Sequence, residues 1–125
     1  FNDYDVAIHE MHHRFKADSP SGTAEMLGHI MLNSIDRKKR LLEGDLNRPP
    51  TEDELHISST RCGAIPGTHR VIFDSENDSI AIEHLARNRE GFAEGAVKAA
   101  EWIYGRSGLY NIDDMMENII GGEAK

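Results

Sequence analysis

Four basic side chains fall within five positions of this chain: His12, His13, Arg14 and Lys16. Imidazole is the side chain that titrates closest to neutrality, so proton transfer at ordinary pH is available there. Just downstream, Pro20, Ser21, Gly22 and Thr23 precede an apolar run of helical period, which is the composition of a helix start. The first N–H groups of a helix have no partner inside it, and such an end attracts carboxylate or phosphate. Gly22 has no side chain to obstruct a ligand, and Thr23 adds a hydroxyl. The run from Glu10 to Ala24 therefore reads as a site for an acidic small molecule. A plainer alternative is a basic surface patch followed by an ordinary capped helix.

The elements that must position these groups can be read from periodicity. Tyr4, Val6 and Ile8 alternate with Asp5, Ala7 and His9, a strand pattern that ends near the paired histidines. Ala24, Leu27, Met31 and Ile35 recur at spacings of three and four, which predicts an amphipathic helix from Gly22 to about Ile35. The candidate site thus lies in a strand-to-helix connection. The charged, Pro-containing stretch from Arg37 to Glu54 reads as a surface loop, with Arg37, Lys38, Lys39 and Arg40 as a solvated helix end. Three short strands are expected next: Leu55 to Cys62, His69 to Asp74 and Ser79 to His84, the last two joined by a turn at Ser75–Asp78.

Asn88 can cap a second helix with an apolar stripe of Phe92, Ala96, Ala99 or Ala100, and Ile103, against which Trp102 and Tyr104 would pack. Asn111, with Asp113 and Asp114 behind it, opens a short last helix carrying Ile112, Met115, Met116 and Ile119. Four strands clustered mid-chain and two main helices make an α+β layer rather than an alternating α/β fold.

Composition bounds the function. The chain has 125 residues and a net charge of −8, enough for one domain and opposite in sign to a general nucleic-acid binder. A negative average field repels an acidic ligand, so the local cluster from His12 to Lys16 must supply the attraction. No apolar run is long enough to span a membrane, and there is no secretory pattern. The single cysteine, Cys62, excludes an intramolecular disulfide and reads as a small packed hydrophobe in a reducing, cytoplasmic setting. Phe1 in place of Met reads as a start partway through a longer protein.

The stretch Glu10-x-His12-His13-x-x-Lys16-x-Asp18-x-Pro20-Ser21-Gly22-Thr23-Ala24 resembles the signature of the dihydrodipicolinate reductase family, in its substrate-binding C-terminal domain. Arg61-Cys62-Gly63-Ala64-Ile65-Pro66-Gly67-Thr68-His69 is similar to a second segment of that family. His84 to Arg89, followed by Phe92-Ala93-x-Gly95-Ala96, is similar to a third. The resemblance implies an open mixed four-stranded sheet covered by two main helices, plus a short C-terminal helix. It implies NAD(P)H-dependent reduction of 4-hydroxy-tetrahydrodipicolinate to tetrahydrodipicolinate, a cyclic dicarboxylate of lysine and diaminopimelate biosynthesis. By position, His12 corresponds to the general acid/base and Lys16 to the proton donor, while His13, Ser21, Gly22 and Thr23 correspond to substrate binding. Asp18 would orient Lys16 or cap the turn, and His69 and His84 are read as structural.

The family's cofactor, NADPH or NADH, needs a Gly-x-Gly-x-x-Gly turn, and none follows a strand here. The expectation is a chain that presents the substrate site without catalysing hydride transfer alone. Residues 1–110 would bind substrate and form a homotetramer, and residues 111–125 would pack toward a nucleotide-binding domain, with the last apolar stripe exposed or covered by a neighbour.

Two rival readings remain. His9-Glu10-Met11-His12-His13 satisfies His-Glu-x-x-His, the pattern of a zinc-dependent hydrolase, which works only on a helix. A non-catalytic oligomerisation module would use the mid-chain strands with no live site.

Overall fold

A computed structural model describes residues 3–121. The elements run β1 (Asp5–His12), α1 (Gly22–Ser34), β2 (Arg40–Glu43), β3 (Glu54–Arg61), β4 (Thr68–Asp74), β5 (Ser79–Leu85), α2 (Glu90–Ile103) and α3 (Ile112–Gly121). By packing the chain divides between Arg87 and Asn88 into two compact units.

The first unit is an α+β layer whose sheet has the order β2-β3-β1-β4-β5. β3 runs parallel to both β1 and β2, whereas β4 is antiparallel to β1 and β5. The sheet is therefore open and mixed, with five strands rather than four. The extra one, β2, is four residues long and lies inside the stretch read as a loop. As a short, half-exposed edge strand rich in charge it carries no clean alternation, and only its pairing with β3 reveals it.

The middle strand explains the site's location. Val6, Ile8, Glu10 and His12 alternate to one buried face of β1. At its start this face is apolar: Val6 and Ile8 pack with Leu55, Ile57 and Val71 of the flanking strands and Ala24 of α1, joined at the margin by Leu27, Met31 and Ile35. The predicted helical stripe is thus the one that meets the sheet. At Gly28 the approach is so close that a Cβ would come within 2.9 Å of both Ile57 and Leu41. Farther along β1 the same face turns polar, and Glu10 is completely buried.

The basic tetrad is not a solvated helix end. α1 stops at Ser34 with Ile35 as its cap, and Lys38 is only 2% exposed. Its ammonium pairs with Asp5 at 2.6 Å and donates to the Glu54 carbonyl at 2.7 Å, tying the start of β1 to β3. Cys62, expected to be packed, is exposed just beyond β3. The Ser75–Asp78 turn closes as expected, with the Ser75 N–H donating to the Asp78 carbonyl at 2.9 Å.

In the second unit, Trp102 holds α2 to α3 by donating to Asn118 at 2.8 Å, and it meets Tyr110 edge-on. Asn111 accepts from the N–H groups of Asp113 and Asp114 while Asp114 accepts from Asn111 N, a reciprocal cap on α3. Asn88 accepts from Glu90 N at the entrance of α2, although the cap position is Arg89. Tyr104 stands free in solvent instead of packing, and no residue of α2 is buried. On α3, Met115 is buried, whereas Ile112, Met116 and Ile119 are exposed. Residues 122–125 of the tail lie outside the described residues.

Candidate functional site

Glu10 organises the end of β1. A buried carboxylate is costly unless its lone pairs are filled, and here four donors fill them. Arg61, which faces His12 across the β1–β3 register, grips both oxygens: Nη1 donates to Oε2 at 3.0 Å and Nη2 to Oε1 at 2.7 Å. His12 Nδ1 lies 2.5 Å from Oε2, and Ser21 N–H donates to Oε1 at 3.2 Å. Burial alone would push this carboxyl up, but the Arg61 guanidinium overrides it and holds the pKa down at about 2.

The connection between β1 and α1 is pinned from β3 and its following turn. Arg14 N–H donates to the Gly63 carbonyl at 3.1 Å, and Cys62 N–H donates to the His12 carbonyl at 3.0 Å. Arg61 Nη2 also donates to the Asp18 carbonyl at 2.6 Å. Asp18 in turn pairs with the Lys16 ammonium at 2.8 Å, the orienting role expected for it, and Lys16 lowers the Asp18 pKa. A polar chain therefore runs from Lys16 through Asp18, Arg61 and Glu10 to His12.

Ser21 closes the arrangement from the helix side. It caps α1 by accepting from Ala24 N–H at 3.3 Å, a contribution of about 1 kcal/mol. Its hydroxyl also lies 3.0 Å from His69 Nε2. His69 meets the His12 ring edge-on at 5.2 Å, and its pKa is lowered by burial first and by His12 second. Gly22 and Thr23 follow Ser21 and are exposed, with open space where a Gly22 side chain would stand. His13 is half-buried in the same connection, its carbonyl accepting from Lys16 N–H at 3.1 Å.

All six residues singled out from the sequence thus lie at one end of the sheet, on β1, the connection and the first turn of α1. Three partners were missed as actors. Glu10 and Arg61 were visible in the sequence blocks, yet their pairing spans 51 positions and no local period announces it. His69 was read as structural but touches both Ser21 and His12. Its place on β4, two strands from β3 across β1, is the signal that topology supplies.

The His-Glu-x-x-His reading fails on geometry. The pattern lies on and just past a strand, where alternation puts Glu10 on the buried face and His9 on the opposite one, bonded to Ser58 at 2.7 Å. Glu10 is consumed by Arg61, and no group of three His, Cys, Asp or Glu side chains among the described residues could hold a metal ion.

A mixed sheet whose central strand ends at His12, followed by a connection that carries Lys16 to the start of α1, defines an α+β domain with its polar cluster at one end of the sheet. The chain belongs to the family of the dihydrodipicolinate reductase C-terminus, whose model matches residues 1–116. It is 37% identical over 125 residues to the 4-hydroxy-tetrahydrodipicolinate reductase of Rickettsia bellii, covering 99% of this chain and 49% of that protein. The enzyme of the same name from Rickettsia canadensis is 43% identical over 115 residues, covering 91% of this chain and 47% of that one. The chain spans about half the length of the curated relatives it matches. Among solved structures, the dipicolinate-bound dihydrodipicolinate reductase of Paenisporosarcina sp. TG-14 matches with a TM-score of 0.60 and 27% identity, over 74% of this chain and 37% of that one. This membership removes the ground for the zinc-hydrolase and the non-catalytic module.

Proposed function

We propose that this chain is the substrate-binding part of an NAD(P)H-dependent reductase that forms tetrahydrodipicolinate from 4-hydroxy-tetrahydrodipicolinate in lysine and diaminopimelate biosynthesis. The observation that carries this reading is the continuous polar chain from Lys16 to His12 beside the exposed turn Ser21-Gly22-Thr23. One carboxylate of a cyclic dicarboxylate docks on that helix start, with His13 and Thr23 as donors. The dipicolinate carried by the Paenisporosarcina structure has this chemistry.

The chain's part in the reaction is binding and the proton. Loss of the 4-hydroxyl as water leaves an unsaturated imine; hydride addition to it leaves negative charge on the ring, and the Lys16 ammonium, steered by Asp18, neutralises that charge by proton transfer. His12 acts as acid/base beside it. Among the described residues the nucleotide, NADPH or NADH, finds no matching cradle. The β1–α1 connection has no glycine before Gly22 and instead carries Asp18 and Pro20, whereas a dinucleotide turn needs glycines for close backbone approach. Residues 111–125 are proposed to pack toward the domain that holds it. A cytoplasmic homotetramer completes the reading; for the association, the support is β5, which is exposed at every position and presents Ile80, Ile82 and Leu85.

Titrating this chain with pyridine-2,6-dicarboxylate while following the His12 and His13 resonances tests the reading, and saturable shifts at both are expected. Unmoved resonances would overturn it. In the full-length enzyme, Lys16→Ala removes most turnover with little change in cofactor affinity. Near-normal turnover would refute the proton-donor role.

A further inference from the structure

We propose that Glu10 is a positioning residue: its buried carboxylate fixes which nitrogen of His12 carries the proton and locks that ring to the start of α1. The proposal rests on the reading above, in which His12 works on a bound dicarboxylate, and it adds a residue that never touches the ligand.

The two oxygens of Glu10 divide their work. Oε1 accepts from Ser21 N–H and Arg61 Nη2, and Oε2 accepts from Arg61 Nη1 and faces His12 Nδ1 at 2.5 Å. An ionised carboxylate offers only acceptors, so Nδ1 must be the donor. The proton of the His12 ring is therefore held on Nδ1, and Nε2 is left as the nitrogen that can take up or release one. Orienters of this kind decide tautomer and ring direction when a carboxylate backs a working histidine. The environment of Nε2 agrees. It lies where Gly67 provides no side chain, since a Cβ there would stand 3.1 Å from it. The His69 ring meets the His12 ring edge-on, with centroids 5.2 Å apart.

Arg61 makes the carboxylate fit for this task. Its guanidinium pairs both oxygens, Nη1 with Oε2 and Nη2 with Oε1, and each oxygen keeps a second partner, His12 on Oε2 and Ser21 on Oε1. The same guanidinium reaches the Asp18 carbonyl. The spacing between His12, Lys16 and the helix start is thus set by one ion pair.

Glu10→Gln is the sharp probe because it keeps the shape and removes one acceptor. If the amide oxygen stays with Ser21 N–H and Arg61 Nη2, the NH2 group faces Nδ1 and the ring must move its proton to Nε2. If the amide turns over, Ser21 and Nη2 lose their acceptor instead. The experiment is 15N NMR of the histidine rings of this chain at about pH 8, above the usual imidazole range, with pyridine-2,6-dicarboxylate titrated into each protein. The wild-type chain is expected to show His12 protonated at Nδ1. Glu10→Gln is expected to shift it toward the Nε2–H form and to weaken binding about tenfold, the loss of one charge-assisted hydrogen bond.

Lys16→Ala serves as the comparison, weakening binding with the His12 tautomer unchanged. A wild-type His12 protonated at Nε2 would overturn the proposal, and that measurement stands even if the variant does not fold. So would a folded Glu10→Gln chain that keeps both the wild-type tautomer and the wild-type affinity, since the turned-over amide still costs Ser21 and Nη2 their acceptor. Absence of dicarboxylate binding to the wild type, with the tautomer as expected, would instead refute the function proposed above and leave the positioning of His12 intact.

Discussion

Glu10 on β1 and Glu54 at the start of β3 are both shut away from solvent, each gripped by an arginine fork. Arg48 reaches the two Glu54 oxygens at 2.7 Å each, and Thr51 N–H adds a third donor at 2.8 Å. Both carboxyls are held well below the usual range, Glu54 chiefly by its hydrogen bond from Arg48 and Glu10 chiefly by Arg61 against its own burial. The difference lies in the remaining partners. Around Glu54 they are a loop backbone and the exposed side of Arg40, so that pair staples the 48–54 segment to the edge of the sheet. Around Glu10 they are an imidazole and a helix start. The same ion pair is a fastener in one place and an aiming device in the other, and only its unoccupied lone pairs decide which.

The comparison can be broken first at the arginines. Arg61→Met leaves Glu10 buried without its counter-charge, a loss of about 3–5 kcal/mol, while Arg48→Met is expected to cost much less because water can reach a half-exposed fork. Chemical denaturation of both variants checks this, and equal losses would erase the distinction. Next, Glu54→Gln is expected to lower the melting temperature yet leave pyridine-2,6-dicarboxylate affinity within about twofold, where Glu10→Gln loses about tenfold. Isothermal titration of the two variants side by side would expose a shared, purely structural role as matching losses.

Gly67→Ala should act more mildly. The backbone there has φ of +155° and the new methyl would press on His12 Nε2, so a stability loss of about 1 kcal/mol with several-fold weaker binding is expected. Unchanged binding would remove Gly67 from the site.

Acidification reaches the same two carboxylates without any substitution. Because the folded Glu10 pKa of about 2 lies below its ordinary 4.5, its contribution to stability is complete above that ordinary value and disappears as pH falls through the folded one. Glu54, also held below the usual carboxyl range, contributes in the same direction. His69 adds a gentler decline that begins below 6.5, since burial keeps it neutral in the folded chain while the unfolded chain takes up the proton. Carboxyl 13C titration should show Glu10 protonating well below its ordinary 4.5, and a midpoint at the ordinary value would mean that Arg61 does not hold the carboxylate.

Much of this molecule could be read from its residues, for reasons that are themselves physical. β1, α1 and the β4–β5 hairpin bury one face and expose another, so their periods survive in the sequence. β2 does not, because an edge strand needs only one ladder and accepts charge. Lys38 looked like a solvated basic residue because nothing local reveals that Asp5 and a carbonyl of β3 will converge on it. The site was legible where it is contiguous, from His12 to Thr23, and opaque where it is assembled across strands, at Arg61 and His69.

The alternation along β1 has one more consequence. Because Val6 and Ile8 share a face with Glu10 and His12, a slip of one residue against β3 or β4 would expose the core and the working histidine together, and turn His9 and Met11 inward. A frame error in the central strand would therefore show itself twice, as lost core burial and as a misplaced His12.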